Sequence, residues 1–110
     1  MKGIIFLMSV VVLISAQAYA VTDLDKAVDR CKGETTSYVE NVLKGEVRFP
    51  TERFSSENNY AYFIHYKEDL KTMAFLKDGS VLPLDIRCTI EKNTFKPVMV
   101  SINGNLLPIK

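Results

Sequence analysis

His65 is the single imidazole of a 110-residue chain that carries two cysteines, Cys31 and Cys88, and no tryptophan. Nucleophilic hydrolysis needs a base and an orienting group beside the nucleophile, so an imidazole-based site could be built only around His65. Between Ile64 and Tyr66, in a segment of strand-like alternation, this histidine reads as a sheet residue and not as a base. Paired carboxylates are the other route to acid and base chemistry. Asp85 and Glu91 share one face of a candidate strand but stand six residues apart. That is about 20 Å by strand rise, too far to flank one bond. Glu68 and Asp69 fall in an expected turn, where they balance Lys67 and Lys71. There is no glycine-rich phosphate loop. Two widely separated cysteines and one histidine supply neither a structural zinc set nor a redox C-x-x-C motif. The sequence thus points to no catalytic residue, no cofactor and no metal ligand.

The same chain states where it is handled. Lys2 precedes an apolar run over residues 3–14, and Ala18-Tyr19-Ala20 follows as a small-x-small site. That is the pattern of a secretory signal peptide, 1–20, cleaved after Ala20. The run is shorter than the roughly 20 apolar residues a membrane span needs, so no span is expected once the signal is removed. Export to the periplasm or the medium makes an even pair of cysteines a disulfide, and Cys31 and Cys88 are expected to be joined. The chain carries 14 Lys and Arg against 13 Asp and Glu, and without Lys2 the two signs balance. A surface that reads phosphates needs a local basic excess, so nucleic acid is not an expected partner.

Residues 21–110 read as one small α+β domain. Thr22 precedes Asp25 by three, a capping box with Asp in place of Glu, and opens a helix. Leu24, Val28, Cys31, Thr35, Tyr38 or Val39, and Val42 follow at steps of three and four and draw its apolar stripe. Gly33 leaves open one helix to about Lys44 or two with a break, and Gly45 suits the C-terminal cap. Residues 46–59 show no sustained period and are expected as a connection with at most a short strand. Period-two strands follow over 60–66, 72–77 and 81–91, the last two joined by Asp78-Gly79, a strong hairpin signal. Lys92-Asn93-Thr94 turns into Val98, Val100 and Ile102, and Asn103-Gly104 into a short strand over 106–109.

Helix periodicity places Cys31, and strand periodicity places Cys88, on faces of one core, so the disulfide would staple helix to sheet. The expected architecture is one amphipathic helix on a four- to five-stranded antiparallel meander. In element order it resembles the cystatin-type roll, without the strand that there precedes the helix. That resemblance is architectural and implies no activity. Cys31, Leu43-Lys44, Phe49-Pro50 and Ile86-Arg87-Cys88 also resemble a pattern of small exported bacterial domains, which supports the architecture alone.

Of the 5 Tyr and 6 Phe, four, Tyr60, Tyr62, Phe63 and Tyr66, fall within seven residues. Alternation sets Tyr60, Tyr62, Ile64 and Tyr66 against Ala61, Phe63 and His65, so both strand faces are apolar or aromatic and one helix cannot cover both. Either the 46–59 segment covers the surplus face or it anchors a partner, a role that suits tyrosine. The expected function is that of an exported, non-enzymatic binding protein engaging another protein, inhibitor- or immunity-like. A structural or assembly component of the envelope or a pilus-like structure, self-associating through a sheet edge, and a small-ligand carrier are the alternatives. Expression in an export-competent bacterium should yield a mature chain that begins at Val21 by intact mass. Exported protein that retains residues 1–20 would exclude cleavage after Ala20.

Overall fold

Thr22 caps the helix as its spacing predicts: its hydroxyl accepts from the Asp25 N–H at 3.1 Å, and the Asp25 carboxylate accepts from the Thr22 N–H at 3.3 Å. Hydrogen bonding from Thr22, side chain first and backbone second, holds the Asp25 carboxyl below its ordinary range. The computed structural model describes residues 22–109, so the expected signal peptide, 1–20, lies outside the described residues. Helix α1, Asp23–Tyr38, runs through Gly33 without a break. It ends in a wider π turn, Val39–Leu43, and Lys44 takes the left-handed cap at φ 56°. A π turn spreads each residue over a smaller rotation, which shifts the phase of the stripe. Val39 and Leu43 therefore face the core, and Val42, expected on the stripe, is exposed. Gly45 is required for a reason other than capping: a Cβ there would stand 2.6 Å from the Phe75 carbonyl oxygen across the sheet.

The α+β class, the packing of one helix on antiparallel sheet and the helix-to-sheet disulfide are as the sequence predicts. The strands, β1 (Gly45–Arg48), β2 (Phe54–Glu57), β3 (Ala61–Tyr66), β4 (Met73–Leu76), β5 (Val81–Pro83), β6 (Ile86–Glu91), β7 (Pro97–Ile102) and β8 (Asn105–Leu106), fall into two sheets. One has the order β1-β4-β5 and the other β2-β3-β6-β7-β8. The segment 46–59, expected as a connection, supplies β2 and most of β1. Residues 81–91, expected as one strand, divide at Leu84 and Asp85, so the β4–β5 hairpin leaves the meander and pairs with β1 while β6 returns to β3. At the joint the Leu84 N–H donates to the Thr72 carbonyl at 2.9 Å. Pro83 sits at the end of an edge strand, where its missing N–H breaks no ladder.

Both hairpin dipeptides turn as predicted, with Gly79 at φ 88°, and Asn103 and Gly104 at 53° and 84°. A bulge between Thr89 and Ile90 breaks the alternation of β7. Val98, expected to alternate inward with Val100 and Ile102, is thereby displaced outward and is 60% exposed.

The core lies between α1 and the inner face of the larger sheet. Ala27, Val28, Cys31 and Val39 meet Tyr62, Ile64, Tyr66, Ile86, Cys88, Ile90, Val100 and Ile102. Cys31 and Cys88 are bonded, with Cα atoms 5.8 Å apart. By the chain-entropy relation a loop of this length contributes about 4 kcal/mol.

Tyr62 and Tyr66 are 9% and 1% exposed, so they belong to the core and not to the partner surface for which they were candidates. The Tyr66 ring packs on Phe49, centroids 5.1 Å apart. Burial pushes its phenol above the ordinary range, partly offset by the Arg53 charge. The folded state therefore favours the neutral phenol, and this contribution is full below the ordinary phenol value of about 10 and lost as pH rises through the raised one. Two outcomes follow for urea unfolding. Cys31→Ala with Cys88→Ala should cost about 2–5 kcal/mol. Tyr66→Phe should flatten the alkaline fall in stability while leaving neutral-pH stability nearly unchanged, and an unaltered alkaline limb would remove Tyr66 as its source.

Candidate functional site

Strand alternation places Phe63 and His65 of β3 and Arg87 and Thr89 of β6 on the sheet face that α1 leaves uncovered. The register then sorts these residues into two rows. Phe54, His65, Arg87 and Ser101 are cross-strand partners in one row, and Ser56, Phe63, Thr89 and Met99 in the next. Except for the buried Ser101, these residues line a shallow concavity of ≈ 370 Å³, open to solvent. Phe54, Phe63 and Met99 are 51%, 39% and 37% exposed, so its floor is apolar.

Its polar end is held at the joint between the sheets. His65 Nε2 lies 2.5 Å from Asp85 Oδ1, and Arg87 Nη2 lies 3.8 Å from Asp85 Oδ2. Asp85 is fixed from behind by Asn103, whose side-chain oxygen accepts from the Asp85 N–H at 2.7 Å and whose own N–H donates to the Asp85 carbonyl at 2.8 Å. Asn103 also donates its side-chain amide to the Pro83 carbonyl at 3.2 Å. One left-handed asparagine in the β7–β8 turn thus closes the β5–β6 joint and aims Asp85 at His65. Lys67 stands 4.6 Å over the Phe54 ring, the β2 member of the histidine row.

This arrangement orients an imidazole; Ser56 and Thr89 are its diagonal hydroxyl neighbours on the same face, and among the described residues no hydroxyl or thiol is hydrogen-bonded to the ring. Ser101 shares the row but lies beyond β6, two strand spacings or roughly 10 Å of backbone from His65. The Cys31 and Cys88 sulfurs are consumed in the disulfide. Among the described residues no group of three or more His, Cys, Asp or Glu could hold a metal ion. No helix among them is long and apolar enough to cross a membrane.

Of the sequence candidates, Phe63 lines the concavity. Tyr60 is 78% exposed but lies at the β2–β3 turn, away from the floor, and Tyr62 and Tyr66 point into the core. Sequence reasoning did not reach Phe54 or Met99. Phe54 lies in a segment whose four-residue strand is too short to show a period. Met99 follows outward from the alternation of Val100 and Ile102, but a lone methionine in β7 carries no signal of the strands it lies beside.

Compared with protein-family models, curated proteins and solved structures, the chain matches none of them.

Proposed function

We propose that the protein is an exported, non-enzymatic binding protein, periplasmic or secreted in a bacterium, that engages another protein through the outer face of its larger sheet. An inhibitor or an immunity-type partner is the role that suits this build. The observation that carries the reading is the two-row patch in which exposed Phe54, Phe63 and Met99 lie beside His65 and Arg87. Aromatic residues, methionine and arginine are the types enriched at protein interfaces. A sheet face presents them with little loss of side-chain freedom on binding, because each is already flanked by cross-strand neighbours. Arg87, with a side chain 60% exposed and only a 3.8 Å contact to Asp85, keeps its guanidinium free for a partner carboxylate. The concavity is shallow and open, whereas small-molecule sites bury most of their ligand, which favours a docked protein over a carried metabolite. The expected signal peptide and the disulfide support export.

The test is capture by the oxidised protein from envelope and secreted extract, followed by affinity measurement on the recovered partner. Phe63→Ala and Arg87→Ala should each weaken binding by about tenfold or more, equivalent to 1.4 kcal/mol. Val81→Ala, an exposed change on the smaller sheet, should leave it unchanged. A partner indifferent to both Phe63→Ala and Arg87→Ala would move the site off this face.

A further inference from the structure

Strand β2 is one edge of the larger sheet, and all four of its residues are exposed. We propose that two copies of the chain pair antiparallel along this edge, about a two-fold axis beside Ser55, to form one continuous ten-stranded sheet. This goes beyond the binding reading and shares with it only Phe54 and Ser56, the β2 ends of the two outer-face rows.

The phase of the edge follows from the β2–β3 ladder. The Asn58 N–H donates to the Ala61 carbonyl at 3.1 Å, and bonded and non-bonded pairs alternate from there. Ser56 with Phe63 and Phe54 with His65 are then the bonded pairs. The N–H and C=O groups of Ser55 and Glu57 point to the open edge, and extending the strand by one residue on pairing would bring those of Arg53 into the same phase. Odd-numbered residues of β2 face the helix side, as Glu57 opposite buried Tyr62 shows. Two such edges can bond only odd residue to odd residue, which also keeps like faces together. The hydrogen-bond phase and the pleat therefore agree for self-pairing.

Charge selects the register. With Ser55 opposite its own copy, Arg53 stands opposite the second copy's Glu57, and the pair occurs twice. A shift of two residues in either direction sets Arg53 or Glu57 against Ser55 and loses both pairs. Arg53 forms no ion pair among the described residues, and its enclosed Nε has no hydrogen-bond acceptor there. The Glu57 side chain is 57% exposed while it holds Lys92 at 2.6 Å, so it has room for a second cation. On the outer face the register sets Phe54 opposite Ser56, a small residue that leaves space for the ring. Charged residues usually protect an edge from pairing, but these two are complementary under a two-fold. Helix α1 packs mainly over β3, β6 and β7, and only its first turn, at Leu24, approaches the inner side of β2. So short an edge makes a small interface, of the weak, concentration-dependent class.

Sedimentation equilibrium of the oxidised protein over increasing concentration tests the proposal. The wild-type mass should rise from one chain toward two. Arg53→Glu alone and Glu57→Arg alone should each remain at one chain, and an equimolar mixture of the two should return to the two-chain mass. A wild type that stays at one chain throughout would overturn the proposal, as would single variants that associate like the wild type or a mixture that fails to do so. If a charge variant loses its circular dichroism signature, Ser55→Cys decides instead. Bonded antiparallel partners have Cα atoms about 5.5 Å apart, within disulfide reach. Oxidation should then link two chains through residue 55, and recovery of unlinked chains alone would refute the register. Because Phe63 and Arg87 are untouched throughout, failure of pairing and failure of partner binding are separable.

Discussion

The bond between Cys31 and Cys88 settles which face of the larger sheet is inside. Cys88 lies on β6, in the middle of the five-stranded order, with Ile64 opposite on β3 and Val100 opposite on β7. All three are nearly or fully buried, and Ala27 and Cys31 on the helix are wholly so. A small side chain at Ala27 lets the helix come close, and the covalent link fixes its position along the sheet. In a domain this small the apolar core alone leaves little margin. The crosslink raises stability mainly by restricting the unfolded chain, so it supports the fold without requiring a larger core.

Once α1 is committed to the inner face, the other elements have restricted places. The hairpin of β4 and β5 cannot continue the larger sheet, because β6 occupies the free side of β3. It turns away and closes on β1, with Leu84 driven into the core at the joint and Asp85 left facing out. The backbone there leaves strand geometry, and its polar groups need partners. Thr72 and Asn103 supply them. The His65–Asp85 pair is therefore a product of topology: it sits where the chain crosses from one sheet to the other, and the turn that seals the crossing also orients the carboxylate.

Much of this was legible in the residues. The caps, the two hairpin turns, the helix stripe around Cys31 and the alternation of β6 each carry a local signal, and the helix and strand periods independently placed the two sulfurs in one core. What was not legible depends on competition between distant segments. Four-residue strands such as β1 and β2 are too short to display a period, and nothing near Leu84 announces that one alternating run serves two sheets. The π turn after Tyr38 and the bulge at Thr89 each shift a phase by local geometry that residue types do not reveal. The aromatic strand shows the limit most clearly. A polar tip made tyrosine the natural surface residue, yet Tyr66 is enclosed against Phe49 while Phe63 meets solvent. With both faces apolar, the residue types of β3 alone could not choose.

That ambiguity bears on function. A strand that is apolar on both faces is weakly specified in register, because a slip by one residue exchanges two nearly equivalent faces. Here the neighbour removes the degeneracy: Ile86, Cys88 and Ile90 on β6 face in, Arg87 and Thr89 face out, and Cys88 is tied to the helix. The register is thus secured by β6, and nothing in the folding of the domain calls for Phe63 or Met99 to be apolar on the open side. Polar residues there would sharpen the pattern and lower the tendency to aggregate. An exposed patch that works against folding specificity and lies beside a positioned imidazole and the exposed Arg87 guanidinium is the ground on which we propose this face for docking. The covalent staple makes such a face tolerable, since it fixes inside and outside independently of the residues that the face displays.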